Sequence, residues 1–209
     1  MDILLDNVTN KVMAELEKTQ KDFWNISRKT GVLLNMFVKM MNAQNALEIG
    51  TSNGYSGLWL AKALKETGGH LTTIEFYEKR QVLAIENFKT CGVNDIITSI
   101  QGSACEVIKN FSDDIKFDFV FIDASKREYI DYLKLVKPHM TKKSMLVADN
   151  IISHAEKVKD FVEEIDNDNQ FQYEIVDVPA GILVAYRGWK LPLNQASKVC
   201  VSKTLMYKC

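Results

Sequence analysis

The chain has 209 residues, 46% of them hydrophobic, with 26 basic and 27 acidic side chains and a net charge of −1. That length and apolar content suit one large domain with a substantial core, while the balanced charge gives no overall field to draw in nucleic acid or an anionic membrane. No uncharged apolar stretch approaches the ~20 residues of a membrane span. The opening MDILLDN has acids where a secretory signal starts basic, and Cys91, Cys105, Cys200 and Cys209 show no CxxC or zinc-ligand spacing. A soluble, reducing, cytoplasmic setting is the expectation.

Residues 8–45 read as two helices, with a stripe begun by Val12, Leu16 and Thr19 and a stronger one through Val32, Leu33, Met36, Phe37 and Met40. From residue 46 the pattern changes. Apolar runs at 46–50, 71–75, 96–100, 117–122 and 144–148 alternate with helical stretches at 55–66, 78–90, 104–110, 127–136 and 155–166. Alternation of this kind predicts a parallel sheet with helices on both faces. The last two runs, 171–178 and 181–187, are separated by Pro179 and Ala180 alone. So short a link holds no crossover helix, and an antiparallel hairpin is expected at the end of an α/β, doubly wound, mostly parallel seven-stranded sheet. One domain, 1–187, is expected, made of helices over 1–45 and a core over 46–187. The remaining residues, 188–209, carry lysines and no acid and read as a loosely packed tail.

The segment LEIGTSNGYS at 47–56 takes the first strand into a glycine-rich turn and a helix. Gly50 and Gly54 permit close backbone approach, and the free N–H groups opening the helix can face polar ligand atoms. The spacing E-x-G-x-x-x-G is neither the pyrophosphate fingerprint G-x-G-x-x-G nor a P-loop. A tight turn without a ligand is the plain alternative. Glu75 ends the second strand 25 positions after Gly50, where an acid in this kind of fold accepts hydrogen bonds from ribose hydroxyls, although a solvated strand-end acid would look the same. Gly102, Ser103 and Ala104 follow the third strand, a place suited to an adenine pocket.

FDFVFIDASK at 117–126 and MLVADN at 145–150 end two apolar runs in Asp123, Asp149 and Asn150. Strand ends about 5 Å apart can converge on one cation, and two carboxylates with an amide carbonyl are hard oxygen ligands suited to Mg²⁺, Mn²⁺ or Ca²⁺. A helix cap or turn explains Asp149-Asn150 equally simply. Lys126 lies three residues beyond Asp123, and an ammonium beside a divalent cation is electrostatically disfavoured, which suits it to accept a proton.

Taken together, LEIGTSNGYS, the acid of TIE, DASK, ADN and the closing PAGILVAYR resemble the cation-dependent class I O-methyltransferases that use S-adenosylmethionine, the group of the catechol and caffeoyl-CoA enzymes. The resemblance runs from about residue 24 to 187 and implies a Rossmann-like fold. It implies that Gly50, Ser52, Gly54, Tyr55 and Ser56, with Ile26, surround the methionine part of the cofactor, that Glu48 belongs to the cofactor-binding set, that Glu75 holds the ribose and that Ala104 meets the adenine edge. Asp123, counted with the cofactor set as well, would bind the metal with Asp149 and Asn150, Mg²⁺ before Mn²⁺ or Ca²⁺. Lys126 would be the general base. Ser125 stands where animal catechol enzymes carry an adenine-packing tryptophan, which points to the bacterial and plant branch. The implied acceptor is a vicinal-dihydroxy aromatic small molecule, with Phe23, Trp24 and the 153–160 segment lining its pocket. A homodimer using the apolar face of 32–41 is expected, and no membrane partner. The rival readings are methylation of a hydroxylated uridine in tRNA, a NAD-binding oxidoreductase, and a catalytically silent cofactor-binding protein.

Overall fold

A computed structural model describes residues 5–188, so all but the first residue of the 188–209 tail lies outside the described residues. Seven strands form one sheet: β1 Asn45–Ile49, β2 His70–Glu75, β3 Ile97–Gln101, β4 Phe117–Ile122, β5 Met140–Ala148, β6 Phe171–Val176 and β7 Ile182–Arg187. Their order is β3-β2-β1-β4-β5-β7-β6. The first five run parallel, and β7 is antiparallel to both β5 and β6. The order reverses between β1 and β4, the position at which an open α/β sheet leaves a crevice beyond its strand ends.

Among the described residues eight α-helices accompany the sheet: α1 Asn7–Lys18, α2 Gln20–Phe23, α3 Arg28–Met41, α4 Tyr55–Thr67, α5 Glu78–Thr90, α6 Ala104–Lys109, α7 Tyr129–Val136 and α8 Lys159–Asn167. Where two N-terminal helices were expected there are three. One break falls at Thr19, between α1 and α2; the other follows Trp24, which takes a left-handed φ of 55°, after which Ser27 restarts the helix by accepting the Thr30 N–H at 3.1 Å. Asp6 caps α1 in the same way, accepting from the Val8 and Thr9 amides at 3.0 Å each.

The central strands are buried on both faces, so side chains two apart share a face. Phe119, Phe121 and Val147 join Leu34, Val38, Leu58 and Trp59 in one apolar layer. Val120, Ile122, Leu146 and Ala148 join Leu133, Val136, Phe161 and Ile165 in the other. Each fully buried large side chain contributes roughly 1.5–3 kcal/mol relative to exposure. Gly31 lies on the α3 side, where an added Cβ would fall 2.2 Å from the Trp59 Nε1, which makes this glycine a packing requirement. Among the described residues no helix is long and apolar enough to cross a membrane.

Candidate active site

The β1–α4 turn is built so that three strands' ends can come close. Gly50 has φ +102°, and a Cβ there would lie 2.2 Å from the Asp123 carbonyl oxygen, so only glycine lets β1 leave the sheet against the end of β4. The Asp123 N–H donates to the Ile49 carbonyl at 2.9 Å and the Asp149 N–H to the Ile122 carbonyl at 3.0 Å, continuing the parallel ladder to the point where the acids begin. Tyr129 braces this edge from beneath, its hydroxyl donating to the carbonyls of Ile122 (3.3 Å) and Asp149 (3.2 Å).

Beyond these strand ends opens a cavity of about 480 Å³, within the range of small-molecule and cofactor sites. On one side it is lined by Gly50, Ser52, Ser56 and Glu75, with Ile26 from the N-terminal segment. Glu75 is 5% exposed, and each carboxylate oxygen accepts a backbone amide: Ser52 N–H to Oε2 at 2.7 Å, Tyr77 N–H to Oε1 at 2.9 Å. Two such bonds hold a charged carboxylate at the cavity wall with lone pairs left over for a ligand's hydroxyls. Ser52, itself at φ 49°, donates its hydroxyl to the Phe23 carbonyl at 2.9 Å and so pins the N-terminal segment over the turn. Gly102, Ser103 and Ala104 line the end of the cavity at the start of α6.

At the other side the lining contains Asp123 and Lys126, whose Oδ1 and Nζ are 2.8 Å apart. Asp149 stands one strand further along the sheet, 3% exposed, and its Oδ1 has no hydrogen-bond partner. Burial, then the neighbouring Asp123 charge, pushes its carboxyl up to about 7. Burial likewise pushes the Asp123 carboxyl up, against the pull of Lys126. Two adjacent, poorly solvated carboxylates with one orphaned oxygen leave room for positive charge, and an oxygen-liganded divalent cation fits that need. Asn150, at φ 64°, follows directly, its amide donating to Ser153 Oγ at 3.4 Å. Among the described residues no three His, Cys, Asp or Glu side chains form a metal cluster, so the candidate set is two carboxylates and one amide.

Three residues assigned to the cofactor do not line the cavity. Glu48 is wholly buried beneath it, accepting from Ser56 Oγ and Thr73 Oγ1 at 2.6 Å each, and so acts on the wall only through Ser56. Gly54 faces Phe88, which a Cβ would meet at 2.9 Å. The Tyr55 ring is 1% exposed, with its hydroxyl donating to Glu17 at 2.7 Å. The first residues of α4 turn inward, and spacing alone does not say which side chains of a turn face a ligand. Asp149 and Asn150 also fall outside the cavity lining, beside Asp123.

Sequence reading missed other members of the wall. Arg80 lies over the rings of Trp24 (4.7 Å), Tyr77 (5.4 Å) and Phe23 (5.9 Å), joining the N-terminal segment to the start of α5 across the cavity mouth. Glu128 and Tyr132 line it near α6. No residue of the 153–160 segment expected at the acceptor pocket lines the cavity, although His154 lies near enough to Lys126 and Asp123 to feel both charges, burial and Lys126 together lowering its basicity. Arg80, Glu128 and Tyr132 had no motif; they come from elements whose periodicity was legible but whose facing partner was not.

A family-wide sequence profile described as O-methyltransferase matches residues 5–187, and the chain belongs to that family. The chain is 32% identical over 133 residues to a catechol O-methyltransferase of Niastella koreensis, covering 61% of this chain and 58% of that protein. It is 37% identical over 129 residues to caffeoyl-CoA O-methyltransferase 1 of Eucalyptus globulus, covering 58% of this chain and 52% of that one. The matched stretches thus span little more than half the length of these relatives. The crystal structure of the O-methyltransferase from Bacillus cereus in complex with S-adenosylhomocysteine superposes with a TM-score of 0.78 at 24% identity, covering 89% of this chain and 93% of that one, and shares the fold.

Proposed function

We propose that this member of the O-methyltransferase family transfers a methyl group from S-adenosylmethionine to one hydroxyl of a vicinal-dihydroxy aromatic small molecule, with a divalent cation as cofactor. The observation that carries the reading is that one cavity wall contains both the amide-clamped Glu75 and the Lys126–Asp123 pair. A ribose-binding acid and a proton acceptor thus share a single space, and the names of the relatives agree with an oxygen acceptor.

When bound, S-adenosylmethionine supplies an activated methyl group, and the cation would draw two adjacent phenolic oxygens together and favour loss of one proton. The chain's own residues set the geometry. Glu75 accepts the ribose hydroxyls, Ser52 and Ser56 border the methionine end, and Asp123, Asp149 and Asn150 hold the cation. With Asp123 engaged elsewhere, Lys126 would first give up its ammonium proton to solvent, and the neutral Nζ would then receive the acceptor's proton as the methyl group leaves the sulfonium. Since the donor is already reactive, most of the rate comes from positioning and electrostatics.

The test is incubation with methyl-labelled S-adenosylmethionine and Mg²⁺, with or without EDTA, against a panel of catechol, caffeoyl-CoA and hydroxyuridine-containing RNA. Label in the first two acceptors, lost in EDTA, is the expected result. Label in RNA alone, or transfer undiminished by chelator, would overturn the proposal.

A further inference from the structure

Glu128 is unused by the chemistry above, yet it lines the same cavity as Ala104 and Tyr132. It lies in the 3₁₀ turn Lys126–Glu128 that leads into α7, and its carboxylate reaches across to the start of α6. Its two oxygens are unequally used. Oε2 accepts the Tyr132 hydroxyl at 3.0 Å, whereas among the described residues the only hydrogen-bond partner of Oε1 is the Cys105 Sγ at 4.0 Å, a weak donor at a long distance. Burial and the Glu128 carboxylate itself hold both the Tyr132 hydroxyl and the Cys105 thiol in their protonated forms. A carboxylate fixed by a tyrosine on one oxygen and facing open cavity with the other is an acceptor awaiting a donor. The other lining groups at this end, Gly102, Ser103 and Ala104, are small and leave a flat ring room to enter.

We infer that Glu128 selects the purine base of the cofactor, its free Oε1 accepting the exocyclic amine of adenine while Tyr132 holds the carboxylate in place. The inference rests on the S-adenosylmethionine reading proposed above. Adenine presents an amine donor at its six-position; hypoxanthine presents a carbonyl acceptor there. A carboxylate opposite a carbonyl leaves two acceptors face to face, and sites built around a hydrogen bond reject analogues that cannot make it. Glu128 is thus a specificity residue, and Tyr132 a positioning residue that acts through it.

Calorimetric titration of the full chain with S-adenosylhomocysteine and with S-inosylhomocysteine, its six-oxo analogue, tests this directly. The unaltered protein should bind the adenosyl compound roughly 10–100-fold more tightly. Glu128→Gln should bring the two within about threefold, because a carboxamide can either accept from the amine or donate to the carbonyl. Glu128→Ala should weaken the adenosyl compound by about tenfold and also erase the preference, and each variant's unliganded melting temperature establishes that it is folded. Equal binding of both compounds by the unaltered protein, or full discrimination kept by a folded Gln or Ala variant, would overturn the role of Glu128 and leave the cofactor reading intact. Absence of any S-adenosylhomocysteine binding would overturn both.

Discussion

Lys126 Nζ lies 2.8 Å from Asp123 Oδ1, with the two side chains 19% and 13% exposed, on the single turn that follows β4. The amine proposed to take the proton and a carboxylate proposed to hold the cation are therefore each other's partner. A buried pair of this kind is weak evidence of stability, since the loss of solvation offsets much of the attraction. Its retention at the end of a parallel strand, in the wall of the cavity, fits a functional role better than a structural one.

From that contact follows the first expectation. Lys126→Ala should lower kcat about 10²–10⁴-fold while cofactor affinity stays nearly unchanged, because proton acceptance acts in the transition state. Lys126→Arg should fail to restore the rate, a guanidinium remaining protonated. Steady-state kinetics decide the matter: a rise in KM alone, with arginine substituting well, would make Lys126 a binding residue.

Asp149 carries a second expectation, since its buried Oδ1 has no hydrogen-bond partner among the described residues and suits a cation ligand. Mg²⁺ or Mn²⁺ should raise the melting temperature of the unaltered protein in the presence of S-adenosylhomocysteine, and EDTA should reverse the shift. Asp149→Ala should abolish the metal-dependent shift and leave S-adenosylhomocysteine binding in place. A metal response that survives this change would move the cation elsewhere.

Much of this fold was legible from periodicity, because the central strands β1, β2 and β4 are short, largely buried runs closed by turn residues. The limits are instructive. β5 begins at Met140, four residues before the apolar run at 144–148, since its exposed Lys142 and Lys143 hide the early half, and the register against β4 shifts between Phe117 and Phe119. The extra break at Thr19, between α1 and α2, falls at the end of an apolar stripe that does not announce it. Within the site, two residues carried by strand ends, Glu75 and Asp123, line the cavity. Glu48 does not, because neighbours along a strand alternate faces and a motif preserves spacing without revealing which face meets the cavity. Arg80 and Glu128 required knowing which elements meet across the cavity, a long-range fact.

Glu75 gives a third expectation. Its two oxygens already hold the Ser52 and Tyr77 amides, so the carboxylate is pre-set for a ribose and loses little entropy on binding. Glu75→Ala should weaken S-adenosylmethionine and S-adenosylhomocysteine alike, by roughly 1–3 kcal/mol, through the lost charge-assisted bonds. Glu75→Gln should fall between, since a carboxamide has one acceptor oxygen in place of two. Titration calorimetry showing unchanged affinity for both compounds would remove Glu75 from the cofactor site.

Glu48 yields an expectation about stability and pH, because it is wholly buried and, among the described residues, its hydrogen-bond partners are the hydroxyls of Ser56 and Thr73. Burial raises its carboxyl from 4.5 to about 7, the Ser56 and Thr73 hydroxyls oppose the rise, and the Asp123 and Glu75 charges add to it. The folded-state value therefore lies above the unfolded one. The protonated group's favourable contribution is complete below about 4.5 and is lost as the pH climbs through about 7. Glu48→Gln, uncharged throughout, keeps partners in both hydroxyls, which can turn to donate or accept. Near pH 5 the variant should match the parent within about 1 kcal/mol, whereas at pH 8 it should be more stable by on the order of 2–3 kcal/mol. Denaturant unfolding of both proteins at the two pH values measures the difference, and because every other titrating group is common to the pair, its change with pH belongs to Glu48. An equal stability difference at pH 5 and pH 8 would mean that Glu48 stays ionised in the folded protein, held by Ser56 and Thr73 as a charged acceptor beneath the cavity.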